Sequence, residues 1–578
     1  MLQRLLKKQP DRQTVLAILL FALNVFLVFS IFVPMLRDIN TWDESVYVNT
    51  GRSLVQGELP TFSRNPLIGL FYAVLYLIFS HSSFWMLYSI SLGRFILFGL
   101  MWLSSYLTAR QFTKFFPPLA MTGLLLLFPI LVDILLNPSD ALFAALSGFA
   151  LWQLIGFYND REHSHLWKAS VFLGLAALSR NDGLVLFLIF LFLAALIVRS
   201  FRWDFAWIAP AVLPFAALVG GYMLLFGAVT GGFEMGTVER SYVAFQQGQS
   251  VDYKHDPACQ QKILKCAVLK AQELYGTGTE NNYSILRAIS RNPQAFVSRL
   301  SNILVALPNL VIEVFGNRMI FLILILVARG IWELLSRRQF LLLSILLLWM
   351  THLGVYFLTF FRVGYIRTIY FIPFILAAIG AYAFIQDTLQ RRRTYLLAAL
   401  LLAVTVAAML MDVRALYFTT ALLLVALLML HLLQSVETEK SNIAATGLVA
   451  LLAVGLILRP IFDPPVGRDL SQGAEEQALL VMVKNLPSGA HVAAGSPGGV
   501  WAADMEFEDL GGDEYYLVSS AAELHRLLRQ KGIIAVYVDS SLSNANEPVW
   551  RLIEAEVDQY YETIYSGREG SIRVLLVK

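Results

Sequence analysis

The hydrophobic residues of this chain fall into long runs with almost no charge, and short polar segments separate these runs. A run of about 20 apolar residues is long enough to cross a bilayer as a helix. The pattern predicts a polytopic α-helical membrane protein with about 13 transmembrane helices, two of them short. The runs are Thr14–Leu36, Leu87–Ala109, Pro117–Leu135, Ala141–Tyr158, Trp167–Ser179, Gly183–Val198, Phe205–Phe226, Met319–Leu335, Phe340–Phe360, Ile366–Ile385, Tyr395–Met411, Leu416–Leu433 and Ile443–Leu458.

The pattern changes at Phe462–Pro465, where two prolines precede apolar runs of strand length and frequent charges. Alternating strands and helices predict a small α/β domain there. We therefore expect a membrane domain at 1–461 and a soluble domain at 462–578. The predicted strands are Ala490–Ala494, Gly532–Val538 and Ile572–Val577, and the predicted helices are Ser471–Leu486, Ala521–Gln530 and Val549–Gln559.

Composition supports a membrane protein and excludes one class of partner. Of the 578 residues, 57% are hydrophobic and 15% are charged, whereas soluble domains carry about 25% charged residues. The net charge is only +3, and the basic residues cluster between apolar runs. Such clusters report membrane topology. We therefore expect no nucleic-acid partner.

The distribution of basic residues orients the chain in the membrane. The amino terminus is basic and precedes a run longer than the core of a signal peptide, so we expect a retained first helix that starts in the cytoplasm. Every basic cluster then lies inside, and the long loop 227–318 and the C-terminal domain lie outside. We expect the plasma membrane of a prokaryote. The inner clusters are Arg110 with Lys114, Arg161 with Lys168, Arg199 with Arg202, Arg337 with Arg338, Arg391–Arg393, and Lys440.

The first outer segment, 37–86, holds an acidic pair, Asp43 and Glu44, directly after the first apolar run. Charge at a membrane boundary is costly unless it is solvated or paired, so the pair indicates a functional site. The next residues have the spacing of an interfacial helix that Gly57 would end, and Leu67–Phe79 predicts a second one. A structural alternative stays open, in which Asp43 caps the helix and Glu44 complements its dipole.

Several segments follow one another in a characteristic order along the chain. They are the acidic pair with Tyr47, then GRSLVQGELP, NPLIGLFYAVLYLIF, Arg94, NPSDALFAALSGFALW, GLAALSRNDGLVLFL and YIRTIYFIPFILAAIGAY. In this order the segments resemble the GT-C superfamily of polytopic glycosyltransferases, in particular the aminoarabinose transferases of lipid A and the protein O-mannosyltransferases. The resemblance covers about Thr14–Tyr382 and rests on segment order more than on identity.

The resemblance implies transfer of a sugar from a polyprenyl-phosphate carrier to an acceptor hydroxyl at the outer face, with inversion. Asp43 aligns with the catalytic carboxylate of the family and would be the general base. Glu44 would orient the site, bind a divalent cation (Mg or Mn) together with Asp43, or only cap the helix. Asp140 aligns with the second acidic position, for which Asp133 competes.

The leaving phosphate needs cations, and we expect them among arginines at the outer ends of spans. The candidate substrate-binding residues are Arg64, Arg180, Arg362, Arg367, Tyr47 and Tyr370. For each arginine, contact with lipid headgroups or with an acid such as Asp182 is an alternative. The aminoarabinose transferases place a lysine before the proline of the second interfacial helix, where this chain has Asn65, and this departure puts the phosphate contact in question.

Other readings stay open at this point. A transporter or flippase of a lipid-linked saccharide would also have many spans, although transporters usually have repeated halves. A noncatalytic assembly subunit is a third class. The acceptor can be a lipid, a glycan or a protein. In the outer loop, Cys259 and Cys266 form a disulfide or stay free thiols, and aromatic residues such as Tyr242 and Tyr275 suit a carbohydrate cover or ordinary interfacial packing.

Overall fold

A computed structural model of the chain describes a large helical part and, from Ala474 onward, a smaller part with one β-sheet. The described residues are 22, 25, 42–58, 65–82, 84–112, 134–199, 205–231, 238–253, 263–315, 320–360, 363–388, 401–406, 474–567 and 570–578.

The helical part is built from helices of very different lengths, with 3₁₀ turns at Thr351–Leu353 and Arg367–Ile369. The helices are α1 (Trp42–Gln56), α2 (Pro66–Phe79), α3 (Trp85–Phe112), α4 (Pro138–Asp160), α5 (His163–Ser179), α6 (Asp182–Arg199), α7 (Ile208–Thr230), α8 (Val238–Gln247), α9 (Ser250–Tyr253), α10 (Ile263–Tyr275), α11 (Ile285–Arg291), α12 (Pro293–Phe315), α13 (Ile320–Ser336), α14 (Phe340–Met350), α15 (Gly354–Leu358), α16 (Val363–Ile366) and α17 (Phe371–Thr388).

Within the described residues, five helical segments are long and apolar enough to cross a membrane. They are α3, α4, α6, α7 and the continuous stretch of α14 and α15, and each coincides with a predicted span. The predicted spans Thr14–Leu36, Leu416–Leu433 and Ile443–Leu458 lie outside the described residues apart from Ala22 and Val25, as do most of Pro117–Leu135 and Tyr395–Met411. A helical membrane protein is confirmed, and the total of about 13 spans stays a prediction.

Both predicted interfacial helices are present. α1 ends at Gln56, directly before Gly57, whose φ of 80° lies in the left-handed region that favours glycine. α2 begins at Pro66, whose fixed φ suits the first turn of a helix. α1 packs against α2 and α3. This packing brings the acidic pair at the start of α1 next to the membrane helices.

Small residues allow the closest helix packing in this part. A Cβ atom on Gly330 of α13 would overlap the carbonyl oxygen of Leu376 in α17, and one on Gly380 would overlap that of Leu326. Because lipid is as apolar as the side chains, close van der Waals contact between backbones is a main source of helix association in membranes. The glycine pair therefore fixes α17, and with it the turn that carries Arg367 and Tyr370.

The C-terminal part is α/β, as the sequence predicts. Its sheet has the order β2–β1–β3–β5–β4, in which β1, β2 and β3 are parallel and β5 is antiparallel to β3 and β4. The strands are β1 (His491–Ala494), β2 (Glu506–Asp509), β3 (Ala535–Val538), β4 (Tyr561–Gly567) and β5 (Ile572–Val577), and the helices are α18 (Ala474–Asn485), α19 (Pro497–Ala502), α20 (Ala521–Gln530), α21 (Ser540–Ala545), α22 (Glu547–Ala555) and α23 (Val557–Tyr560).

The C-terminal part contacts α1 directly. α19 packs against α1 and α3, and one hydrophobic cluster contains residues of both parts, among them Met482 and Val500. Arg52 of α1 forms an ion pair with Asp504, and its guanidinium carbon lies 5.8 Å from the ring centre of Trp85. The helix with the acidic pair is thus held between the membrane helices and the C-terminal part.

The long predicted loop is largely helical, from α8 to α12. Its aromatic residues Tyr242, Phe245 and Tyr275 are buried in a separate small core with Phe296. These side chains pack against one another, which neither alternative described, and a carbohydrate cover by this loop stays a prediction. Cys266 in α10 is disulfide-bonded, and Cys259 lies outside the described residues.

Candidate active site

Glu44 lies in a closed and fully buried ion pair. Glu44, Tyr72 of α2 and Arg94 of α3 are all inaccessible to solvent. The Tyr72 hydroxyl donates to Glu44 Oε1 at 2.9 Å, Arg94 Nε donates to the same oxygen at 3.2 Å, and Arg94 Nη2 donates to Oε2. Both carboxylate oxygens are therefore used to join α1 to α2 and α3. A buried carboxylate is tolerated because a cation and hydrogen bonds compensate its lost hydration.

Asp43 precedes this pair and is partly exposed in the first turn of α1, so it is not the N-cap residue. Its carboxylate is near enough to Asp140, in the first turn of α4, to act on it electrostatically. Tyr47 ties the two helices together, because its hydroxyl donates to Ser139 Oγ at 3.2 Å. The structure thus brings together Asp43, Tyr47 and Asp140, three of the candidate site residues, and their roles stay predictions.

Arg180 holds two carboxylates in place. Its Nη1 donates to Asp140 Oδ1, and its Nε donates to Asp182 Oδ2 at 2.9 Å. The guanidinium carbon lies 4.8 Å from the ring centre of Tyr365, which stacks on Tyr356 at 4.2 Å. Of the two roles expected for Arg180, pairing with an acid is the one seen here, and these two bonds use two of the five N–H groups of its guanidinium.

Tyr356 completes this arrangement from α15. Its hydroxyl donates to Asp182 Oδ2, the same oxygen that accepts from Arg180. The turn between α5 and α6 is fixed on its other side by Asn65, whose amide donates to Asn181 Oδ1 at 2.9 Å and to the Ala177 carbonyl at 3.1 Å. Asn65, which stands where the resemblance would place a lysine, therefore holds this turn in place.

The helix ends explain why acids collect here. α1, α4 and α6 each carry an acid in the first turn: Asp43, Asp140 and Asp182, respectively. The N-terminal end of a helix has a partial positive charge, which stabilises a carboxylate there. Asp140 and Asp182 are buried and Asp43 is partly exposed, so Asp43 is the acid of this group with the most solvent access.

The other predicted site residues are placed less centrally. Tyr370 is buried against α3, where its hydroxyl contacts Ser105 Oγ at 3.1 Å, so it faces the helix packing. Arg367 lies in a 3₁₀ turn that packs against α4. Arg64, Arg362 and Asp133 lie outside the described residues.

Sequence reasoning missed Tyr72 and Tyr356. Tyr72 is 28 residues from its partner Glu44, and Tyr356 is 174 residues from Asp182. Both tyrosines sit in apolar runs, where an aromatic residue predicts only packing. The local signal that could have found them is the hydroxyl itself, since a buried tyrosine hydroxyl needs a hydrogen-bond partner.

A divalent cation does not fit between Asp43 and Glu44. The Glu44 oxygens already accept from Arg94 and Tyr72, and a cation there would meet a buried guanidinium. Among the described residues, three potential ligands meet at Asp160, Glu162 and His165. Asp160 ends α4, about 30 Å along the helix from Asp140, and both ring nitrogens of His165 have partners in Gln153 and Asp160. We assign no step to a metal.

Comparison with known proteins connects this arrangement to solved structures. ArnT, the aminoarabinose transferase of Cupriavidus metallidurans, matches in its apo state with a TM-score of 0.54 at 13% identity, over 97% of this chain and 98% of that chain. Its complex with undecaprenyl phosphate gives 0.53. The apo oligosaccharyltransferase of Archaeoglobus fulgidus gives 0.50 at 14% identity, over 96% of this chain and 74% of that chain.

The chain has the fold of these two transferases. The likeness extends over nearly the whole chain, so the segment order read from the sequence is confirmed at the level of fold. No protein-family model matches the sequence, and no curated protein matches it either. At 13–14% identity the likeness establishes the architecture and leaves the activity to be argued from the site.

Proposed function

We propose that this GT-C protein is a glycosyltransferase that moves a sugar from a polyprenyl-phosphate carrier to an acceptor hydroxyl, with Asp43 as the general base. The observation that carries the proposal is the partly exposed carboxylate of Asp43 beside Asp140, at a helix end whose next residue, Glu44, is fixed by Arg94.

The chemistry needs one well-placed base. The phosphate of the carrier is already a good leaving group, so the remaining tasks are to activate the acceptor and to stabilise positive charge at the anomeric carbon. In the proposed step, Asp43 takes the hydroxyl proton as the acceptor oxygen attacks. The new glycosidic bond forms, the sugar–phosphate bond breaks with its electron pair, and polyprenyl phosphate leaves. Attack opposite to the leaving group inverts the configuration.

The fixed neighbours of Asp43 support this role. Glu44 follows it directly and is held by Arg94 and Tyr72, which restricts the first turn of α1. A base acts efficiently only when it stays within hydrogen-bond reach of the proton. Asp140, held through one oxygen by Arg180, would orient the acceptor or stabilise the developing positive charge.

The carrier, the compartment and the domain roles belong to the same proposal. ArnT shares the fold and has been crystallised with undecaprenyl phosphate, which supports an isoprenoid phosphate donor. The basic clusters support an outer location of the site, with residues 1–461 as the catalytic domain and 462–578 as an extracytoplasmic domain. Arg64, Arg362 and Arg367 stay candidates for the phosphate, and the acceptor is a lipid, a glycan or a protein.

The test is a transfer assay with purified protein in nanodiscs and a panel of radiolabelled polyprenyl-phosphate sugars. We expect transfer by the wild type and a loss of about 100- to 10,000-fold in Asp43→Asn, the usual contribution of a general base. The thermal unfolding midpoint of this variant should match that of the wild type, because Asp43 is partly exposed.

Three outcomes would contradict the proposal. Full activity in Asp43→Asn would show that Asp43 is not the general base. Unfolding of this variant would show that Asp43 is a structural residue. In proteoliposomes, movement of a lipid-linked saccharide across the membrane without formation of a glycosidic bond would show that the protein is a flippase. Asp558→Asn is a matched control, since it makes the same replacement at an exposed residue of α23 in the C-terminal part.

A further inference from the structure

Arg299 is a buried cation in the outer loop, and it reaches the segment that carries Tyr356. Its side chain is inaccessible to solvent, in the first half of α12. Arg299 Nη2 donates to the carbonyl oxygen of Thr359 at 2.6 Å and to that of Phe357 at 3.1 Å, and Nη1 donates to the Phe245 carbonyl at 3.4 Å. The guanidinium therefore joins α12 and α8 to the end of α15.

Burying the charge of Arg299 costs free energy that an apolar residue, packed at the same place, would not cost. The guanidinium carbon lies 5.2 Å from the ring centre of Phe245, carbonyl dipoles surround it, and Nε has no hydrogen-bond partner among the described residues. Among the described residues, the acid that acts on Arg299 is Asp252, and Gln249 bridges the two when its amide is oriented to satisfy both. A buried charge without a direct counter-ion usually destabilises a protein relative to an apolar residue. A positional task explains why the residue is there.

The contacts of Arg299 lead to the proposed active site through a single short segment. Phe357 and Thr359 follow Tyr356, whose hydroxyl donates to Asp182, and Asp182 accepts from Arg180. The loop also meets this segment through Gly248, where any Cβ atom would overlap the Thr359 carbonyl oxygen. The carbonyls that Arg299 binds thus set the position of Tyr356 relative to the carboxylates.

We propose that Arg299 is a positioning residue for the active site, acting through the backbone at 357–359 and Tyr356 to hold the Asp182–Arg180–Asp140 group. The inference rests on the proposed function for its kinetic part only. It assigns to the outer loop, whose helices pack around their own core, the task of fixing the geometry of the carboxylate group from the outside.

The test is a double-mutant cycle of Arg299→Gln and Tyr356→Phe in the full-length protein, measured by kcat/KM in the transfer assay. We expect each single variant to lose about 10- to 100-fold, the usual effect of a small misplacement at a site. If Arg299 acts through Tyr356, the kcat/KM of the double variant should be no lower than that of the less active single variant. Arg299→Lys keeps the charge without the forked donor and should recover only part of the loss.

Amide hydrogen exchange provides a readout that needs no activity. Arg299→Gln should speed exchange in the peptide 354–360, whereas the matched control Arg291→Gln, which removes an exposed pair with Glu280 in the same loop, should not. Losses that multiply in the double variant, or unchanged exchange at 354–360, would overturn the positioning role. An inactive wild type with faster exchange in Arg299→Gln would overturn the proposed reaction and leave the coupling intact.

Discussion

The two acidic centres of this protein differ in how completely their own neighbours satisfy them. Glu44 is sealed among Arg94 and Tyr72, and none of its surface is accessible. Asp140 is 5% exposed, and among the described residues only its Oδ1 accepts side-chain hydrogen bonds, from Arg180 and Ser139. We infer that the sealed centre of Glu44 stabilises the fold, and that the other centre, called open here because its member Asp43 is partly exposed, serves the proposed transfer. The neighbours, rather than the residue type, separate the two roles.

The largest effect is expected at the sealed centre. Glu44→Gln removes the buried carboxylate that pairs with the Arg94 guanidinium, and the loss of one member of a buried ion pair typically costs about 3–5 kcal/mol. We expect a clear fall in the thermal unfolding midpoint in detergent and a matching fall in folded yield. The double variant Glu44→Leu with Arg94→Met should recover much of this stability, because it removes both charges. Equal stability of Glu44→Gln and wild type would break the comparison.

At the open centre the expected effect is on activity. Asp140→Asn keeps the size of the side chain and removes the charge that Arg180 balances, while Asp182 still accepts from the Arg180 Nε. We expect kcat/KM to fall about 10- to 100-fold with a change in the unfolding midpoint much smaller than that of Glu44→Gln. A loss of stability as large as that of Glu44→Gln would show that Asp140, like Glu44, mainly stabilises the fold.

A partly buried network of Glu508, Lys531 and Tyr515 in the C-terminal part provides a third case, which is less buried than the sealed centre. Lys531 Nζ donates to Glu508 Oε1 at 2.6 Å, and the Tyr515 hydroxyl donates to the same oxygen at 2.9 Å. Partial burial opposes ionisation of Glu508, but these hydrogen bonds outweigh it and hold the pKa of Glu508 below its usual 4.5. Burial acts against the charge of Lys531 as well, but its bonds to Glu508 and Glu514 raise its pKa above 10.5.

The sign of the pH dependence follows from these directions. A lowered carboxylate pKa gives stability that is complete above about pH 4.5 and lost as the pH falls, and a raised lysine pKa gives stability that is lost above about pH 10.5. Glu508→Gln should lower stability at pH 7 by about 1–2 kcal/mol and weaken the dependence of the unfolding midpoint between pH 5 and 3. If the unfolding midpoint of Glu508→Gln depends on pH between 5 and 3 as strongly as that of the wild type, a group other than Glu508 causes this dependence. Glu506→Gln, in the same strand and exposed, is the control.

The sequence predicted elements with strong patterns and missed those whose pattern is set by partners. The predictions for α20 and β5 match in both bounds, since an amphipathic helix and an apolar strand carry their own signal. β2 and β4 were missed. Both lie at the edges of the sheet, where one side has no strand and polar residues are favoured, so β2 reads Glu-Phe-Glu-Asp.

The sequence named candidate site residues but not their contacts. Asp43 was named because charge near lipid is unusual and Asp140 because of the resemblance, but whether Arg180 pairs with an acid depends on Asp182 and Tyr356, which approach it only in the folded chain. The closed environment of Glu44 depends in the same way on Arg94, 50 residues away. Spacing along the chain does not encode such long-range pairs.

The smallest effect is expected for the exposed ion pair between Arg52 of α1 and Asp504 of the C-terminal part, whose side chains are 20% and 57% exposed. Water screens such a pair, so Asp504→Asn should change stability by less than about 1 kcal/mol. Arg52 also lies over Trp85, so Arg52→Gln should cost slightly more. In a double-mutant cycle the coupling should weaken as salt increases. A coupling as large as that between Glu44 and Arg94 would show that the C-terminal part holds α1 as firmly as the membrane helices do.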